Sequence, residues 1–317
     1  MHSAKFALTH ASGMLAEALL ERMAEAGIKS ENIVLLDHED HEGERIAYAG
    51  SFLTVKDQDA YDYENLTAVL LLESAPVLQE LLQHAECYVV SHLSGQGAVS
   101  QCRLQTLIQN GLPEAPCFIQ LASADQASLI PVLELIDTSY GLSSLNVTHV
   151  DSAAAFGHSG VKELASQTIS LLNSQDVKSS VFPLALAFNM MPIELDQQAE
   201  YRLLEYLQIE GLKCSVQKLL VAAFHGQAIS VMLETDREID IEALSIDCEK
   251  LPGFKISLQS VSPMTHCKKG FDVYISALRH PQKDVKRLQF WLIADSVRNG
   301  LIQNYINAME ILLKSYL

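Results

Sequence analysis

The stretch from Phe6 to Met23, FALTHASGMLAEALLERM, constrains this chain more than any other. A short apolar run passes through a turn of small residues at Thr9–Gly13 into helical spacing, with Leu15, Leu19 and Leu20 recurring on one face. Strand, tight turn and helix together open an α/β sheet, and the N-terminus of such a helix can hold a phosphate. The glycine fingerprint is incomplete, because Gly13 is the only glycine where G-x-G-x-x-G or G-x-x-G-x-x-G would be informative. The stretch specifies the fold more strongly than it specifies a cofactor.

Two strand–helix units fill the first half. Asn32–Leu36 (NIVLL) is expected to be the second strand and Phe52–Val55 a short one. Leu66–Leu72 (LTAVLLL) has the continuous apolar character of a parallel strand buried on both faces. Pro76–Gln83 is expected to be helical, Tyr88–Val90 a buried strand, Cys102–Gln109 a helix and Cys117–Ala122 a strand. Beyond this point the pattern changes. Ser128–Leu135 opens an apolar helix, with Pro131 tolerable in its first turn. Leu145–Asp151 is β-like and Ser159–Leu172 has helical spacing, followed by a polar hinge over residues 173–180. Ser159 in GHSG lacks the frame of a hydrolase nucleophile elbow and is expected to be an N-cap, with Glu163 in the first turn. Leu219–Ala223 and Ala228–Leu233 flank His225–Gly226–Gln227, while Phe254–Val261 and Phe271–Ala277 add strands. Leu288–Leu317 is helical in pattern, broken near Asn299–Gly300. The expected fold class is α/β, with a Rossmann-like nucleotide-binding domain over residues 1–127. An α+β domain over 128–294 offers its broad sheet as a dimer surface, and a C-terminal helix follows over 295–317.

The formal net charge of −17 excludes nucleic acid as the expected partner, since phosphate recognition needs a cationic surface. The short basic stretch HCKKG, His266–Gly270, reads as a solvated turn. No run approaches the roughly 18 apolar residues of a membrane span. The N-terminus lacks a basic flank, apolar core and cleavage site, so a cytoplasmic location is expected. Cys87, Cys102, Cys117, Cys214, Cys248 and Cys267 are scattered without a C-x-x-C pair, which points to reduced thiols and away from structural zinc. Cys87 and Cys117 lie beside buried strand patterns, the mark of inert packing.

The loop after the second strand is acidic. From Glu31 to Glu44, six of the 14 residues are Asp or Glu and none is Lys or Arg. In a dinucleotide domain Asp37 falls where a carboxylate bonds the adenosine ribose, and its neighbours would repel a 2′-phosphate. If a nucleotide binds, NAD is therefore expected over NADP; a solvated surface loop is the plainer reading. His38 and His41 with Asp37, Glu39 and Asp40 are metal-ligand types, but their spacing matches no specific metal motif, and no metal site is expected.

Together these landmarks resemble the aspartate-semialdehyde dehydrogenase family over nearly the whole chain. FALTHASGMLAEALL is similar to the family's Gly-Ala-Thr-Gly-x-Val-Gly segment, and SVFPLALAFNMMPIE at Ser180–Glu194 to its PLAFNIIP segment. FDVYISALRH resembles its terminal strand, and DSVRNGLIQNYINAMEIL its terminal helix, with GVKELASQ at Gly160–Gln167 in support. The resemblance implies a central dimerisation domain, a homodimer, and a terminal helix returning to the nucleotide domain. It also implies amino-acid biosynthesis, through an NADP-linked reaction of an acyl phosphate by way of a cysteine thioester.

The residues of that chemistry are replaced. The family's Asn-x-Asn-Cys stretch corresponds to ASADQASLI, which puts Gln126 at the cysteine. Its R-V-P-V-x-x-G-H corresponds to LVAAFHGQ, which puts Leu220 at the substrate-binding arginine and Gln227 at the histidine. Asp151 stands at the active-site glutamine. His225, two residues before Gln227, would share its face on a β backbone and is a candidate displaced base. In the phosphate-binding loop His10 and Ala16 replace glycines and Gly13 is kept, so His10, Ser12, Gly13 and Asp37 are the candidate cofactor contacts. Asp40 falls at the NADP-selecting arginine. Three functions compete: a pseudoenzyme with a binding or regulatory role, an NAD-dependent oxidoreductase with altered chemistry, and a structural partner in an assembly.

Overall fold

The sheet that follows from the opening strand is parallel and buried at its centre. A computed structural model of the chain describes residues 4–73, 87–93, 100–193, 199–267, 272–295 and 300–315. It divides into two units, Met1–Ala124 with Leu301–Leu317, and Asp125–Gly300. In the first unit β1 (Phe6–Leu8) lies between β2 (Ile33–Asp37) and β5 (Ala68–Leu71), parallel to both, with Phe6 opposite Ile33 and Ala68. Next come β6 (Tyr88–Ser91) and β8 (Phe118–Gln120), both parallel. Every residue of β5 and β6 is buried, as expected for strands covered on both faces.

Two features depart from expectation. β4 spans Ser51–Asp57 and forms a hairpin with β3 (Arg45–Tyr48). Its two-residue loop, Ala49–Gly50, has φ of +45° and +79°, the doubly left-handed geometry that suits the twist of a hairpin. Residues 102 and 103 are not helical: β7 (Gln101–Arg103) pairs with β8, and the helix α2 begins only at Leu104, running to Asn110. Pro76–Gln83 lies outside the described residues, as do Lys268–Gly270 of the basic stretch.

Helix α1 (Met14–Glu25) buries Ala16, Leu19, Leu20 and Met23. The C-terminal helix, Ile302–Ser315, packs against α1 and α2. Its Tyr305 is fully buried, and its hydroxyl donates to the Leu71 carbonyl at 2.8 Å.

The second unit carries a seven-stranded mixed sheet. At its centre β9 (Leu142–Asp151) lies between β11 (Lys213–Val221), parallel, and β12 (Gln227–Thr235), antiparallel. β10 (Met190–Pro192) flanks β11. Beyond β12 come β15 (Arg287–Ala294), β14 (Val273–Arg279) and β13 (Phe254–Ser257), which stops short of the expected Val261. Arg287–Ala294 corrects the helical expectation for Leu288–Ala294. Leu288, Phe290 and Leu292 alternate on the buried face, and β15 gains ladder bonds from both β12 and β14.

The described helices of nine residues or more in this unit are α3 (Ile130–Tyr140), α4 (Gly157–Leu172), α5 (Ala199–Leu207) and α6 (Ile241–Glu249). Pro131 sits in the first turn of α3, where its missing N–H costs nothing. Ser159 is not an N-cap. Phe156 holds that position, and Ser159 lies inside the first turn, its hydroxyl donating back to the Phe156 carbonyl at 2.9 Å. Glu163 falls beyond that turn and accepts instead from the backbone of Ser180 and Val181. No helix among the described residues is long and apolar enough to cross a membrane.

Candidate functional site

Two places collect the residues singled out by the sequence. In the first unit the turn between β1 and α1 brings His10, Ser12, Gly13 and Asp37 together. Asp37 ends β2 and is 1% exposed; its carboxylate accepts from the Ser12 amide at 2.8 Å and the His38 amide at 2.9 Å. Burial opposes its charge, but donation from Ser12 and His38, with His10 nearby, prevails and holds the carboxyl below its usual pKa. The Ala11 amide donates to the Leu36 carbonyl and that of Gly13 to the His10 carbonyl, both at 3.1 Å. The amides of residues 11, 12 and 13 are therefore all spent within the chain.

His10 adopts φ +52° and its ring lies against Gly13, where an added Cβ would come within 2.5 Å of the imidazole. Its Nε2 is 2.7 Å from the Glu73 carboxylate. The residues present do not fit a dinucleotide pyrophosphate: the close backbone approach a glycine would allow is occupied by an imidazole paired to a carboxylate. Among the other histidines of this region, His38 bonds Gln58 at 3.2 Å and His41 bonds Glu44 at 3.0 Å. No group of three or more metal-ligating side chains comes together among the described residues.

The second place is one end of the central sheet in the second unit. Register puts Gln227 opposite Asp151, and Asp151 opposite Leu220; one step back, Ile229 lies opposite His149, and His149 opposite Lys218. Paired residues share a face, so a polar patch is assembled from three strands. Gln227 Nε2 donates to Asp151 Oδ1 at 2.9 Å and lies 3.4 Å from His149 Nδ1. Lys218 Nζ ion-pairs with Asp151 at 3.0 Å and with Asp125 at 3.3 Å. Burial opposes the ammonium, but these two carboxylates prevail and raise the Lys218 pKa, so it is a held charge rather than a nucleophile.

His149 is 1% exposed, and burial lowers its pKa against the pull of Asp125 and Asp151. It is a neutral imidazole. Its Nε2, like Gln227 Oε1, is buried without a hydrogen-bond partner among the described residues.

The remaining candidates do not join this patch through hydrogen bonds. Gln126 is 2% exposed and its amide donates to the Ala199 carbonyl at 3.2 Å. Leu220 is sealed in an apolar cluster with Ala153, Leu164, Phe182 and Leu186. His225 does not share a face with Gln227, because the strand has already ended. Residues 222–226 cross the end of β9, where the Ala223 and Phe224 carbonyls accept from Ala153 and Ala154, and His225 is exposed in that crossing. Gly226, at φ +95°, turns the chain back into β12. Sequence reasoning missed Lys218, His149 and Asp125. A signal was available for two of them: each lies two residues before a singled-out position, on the same face of its strand.

Residues 133–299 match the family described as semialdehyde dehydrogenase, dimerisation domain. The USG-1 protein homolog of Pseudomonas aeruginosa is 24% identical, the alignment covering 98% of each chain. Aspartate-semialdehyde dehydrogenase 2 of Vibrio cholerae is 22% identical, again over 98% of each. Among solved structures, a probable aspartate-semialdehyde dehydrogenase from Pseudomonas aeruginosa superposes with a TM-score of 0.85 at 25% identity, over 99% of this chain and 100% of that one. Aspartate semialdehyde dehydrogenase II from Vibrio cholerae gives the same TM-score, 0.85, at 21% identity, which speaks for the fold alone.

Proposed function

Because the chain belongs to the semialdehyde dehydrogenase family, we propose that it is a catalytically degenerate member that keeps the scaffold and its dimerisation sheet without the thioester reaction. The observation that carries this reading is Gln126. Where the family's resemblance places a cysteine, this chain has a buried carboxamide bonded to a backbone carbonyl. Covalent catalysis of that kind needs a thiolate and an activating base, and a carboxamide supplies neither. Leu220 and Gln227 support the same reading, since neither brings a charge to a substrate. The patch around them holds two aspartates against one lysine, an anionic balance that disfavours an acyl phosphate. On this reading the chain is a homodimeric binding, regulatory or assembly protein.

The test is an assay for phosphate-dependent oxidation of aspartate semialdehyde with NAD and with NADP, joined to calorimetric titration of each nucleotide. Wild-type protein is expected to show neither turnover nor saturable binding. Turnover by wild type that disappears in Gln126→Ala would overturn the proposal.

His149 favours a second reading. A buried, neutral imidazole beside the residue at the family's histidine position has the right form for a base. The chain would then be an NAD-dependent oxidoreductase acting on an aldehyde or semialdehyde without a thioester, with the nucleotide held elsewhere than on the turn that His10 fills. That reading requires nucleotide binding that survives His149→Asn and a rate that does not.

A further inference from the structure

Two of the six scattered cysteines come together in the first unit. Cys102 lies on β7, where Gln101, Cys102 and Arg103 pair with Phe118, Ile119 and Gln120 of β8. Cys117 stands immediately before β8, two residues from Ile119, and so projects on the face that Cys102 shares with Ile119. The two sulfurs are 3.2 Å apart. Cys117 is 1% exposed and Cys102 is half-buried, so one thiol is reachable from solvent and the other lies behind it.

Hydrogen bonding between the sulfurs, reinforced by burial, pushes Cys102 up, and the same bond pulls Cys117 down. The pair therefore titrates as a unit that shares one thiolate. By contrast, burial pushes the Cys248 and Cys267 thiols up to about 12, which leaves them inert near neutrality.

We propose that Cys102 and Cys117 form a reversible modification site, converted to an intramolecular disulfide by exchange with a low-molecular-weight disulfide such as oxidised glutathione. Cys102, the sulfur open to solvent, passes its proton across the contact to the Cys117 thiolate and attacks one sulfur of oxidised glutathione, forming a mixed disulfide; the departing glutathione thiolate takes that proton from Cys117. The Cys117 thiolate then attacks the Cys102 sulfur and expels the second glutathione. Both cysteines are oxidised by one electron each, the two glutathiones carry away the electrons and the two thiol protons, and excess reduced glutathione reverses the sequence. The motion needed is small, because disulfide bonding closes the sulfurs from their present contact to roughly 2.05 Å. The new bond would close a ring over residues 102–117 that contains α2, the helix packed on the C-terminal helix. Oxidation would thereby fasten one edge of the sheet.

The full chain should be equilibrated in glutathione buffers of graded ratio, acid-quenched, alkylated and mapped by peptide mass spectrometry. The expected result is a peptide linked through Cys102 and Cys117, growing with the oxidised fraction and lost on return to reduced glutathione. Cys117→Ser should trap glutathione on Cys102, and Cys102→Ser should leave Cys117 unmodified. Limited proteolysis between residues 110 and 116 should be suppressed in the oxidised protein. Two free thiols throughout, or a stable glutathione adduct on Cys102 of the wild type, would overturn the proposal. The wild-type map decides the matter even if a serine variant fails to fold.

Discussion

The protonation of His149 is coupled to folding. Burial outweighs the nearby Asp125 and Asp151 carboxylates, with Lys218 adding to burial, so the folded chain holds the imidazole neutral. In the unfolded chain the same group titrates near 6.5. Below that value the unfolded state binds a proton that the folded state refuses, so stability is complete above about pH 6.5 and falls as pH drops toward the folded pKa. The contribution to the slope reaches at most about 1.4 kcal/mol per pH unit. Urea midpoints between about pH 5 and pH 7.5 should show this slope in wild type and a flatter one in His149→Asn; equal slopes would sink the assignment. None of this was visible in the sequence. Gln227 and Asp151 were, and they prove to be hydrogen-bonded partners, but His149 and Lys218 become their neighbours only through cross-strand register. Register is a non-local property that no single strand displays.

Among the elements, α4 does more than pack. Gln167, 2% exposed, donates to the Lys178 carbonyl at 3.2 Å and accepts from the Leu186 and Ala187 amides at 2.8 and 3.1 Å. Glu163, one turn earlier, accepts from Ser180 and Val181. A segment with no strand or helix of its own is thus held to the helix, and it delivers Phe182 and Leu186 to the cluster around Leu220. Gln167→Ala would leave two buried amides unpaired, at about 1–3 kcal/mol each. A loss of roughly 3 kcal/mol is expected by chemical denaturation, with new proteolytic cleavage between residues 174 and 187. Unchanged stability and cleavage would show that the segment is held by its apolar residues alone.

Elements with a strong local signal were legible: β1, α1, β5 and β9 follow from apolar runs and spacing. The β3–β4 hairpin was legible in part: a short strand is expected over Phe52–Val55, inside β4, while β3 and the Ala49–Gly50 turn carry only the weak signal of one glycine between short, exposed strands. β15 was not. Its apolar residues Leu292, Ile293 and Ala294 run on without a break in period toward the C-terminal helix, and only pairing on both sides makes it a strand.

At the scale of the whole molecule, the sheet of the second unit has two unlike faces. One is buried by its own chain. On the other, register aligns Leu219, Val150 and Ala228 in one row, and Thr148, Ser230 and Trp291 in the next, all half-exposed. An apolar row across the middle of a sheet is poorly solvated, and a second copy related by a two-fold axis offers it the same surface in return. The dimerisation-domain match covers these strands. The proposed loss of the thioester reaction would place no demand on this face, whereas dimerisation does, so on that proposal the scaffold's remaining role is expected to reside here. The protein is therefore expected to be a homodimer in sedimentation velocity, and Trp291→Asp combined with Val150→Lys to sediment as a monomer with unchanged far-ultraviolet circular dichroism. Val150 stands in the middle of one row and Trp291 ends the next, so each substitution puts a charge into the paired rows, where it would lose its water on dimerisation, at several kcal/mol per dimer. A folded double variant that remains dimeric would remove this face from the interface and move the search to another surface.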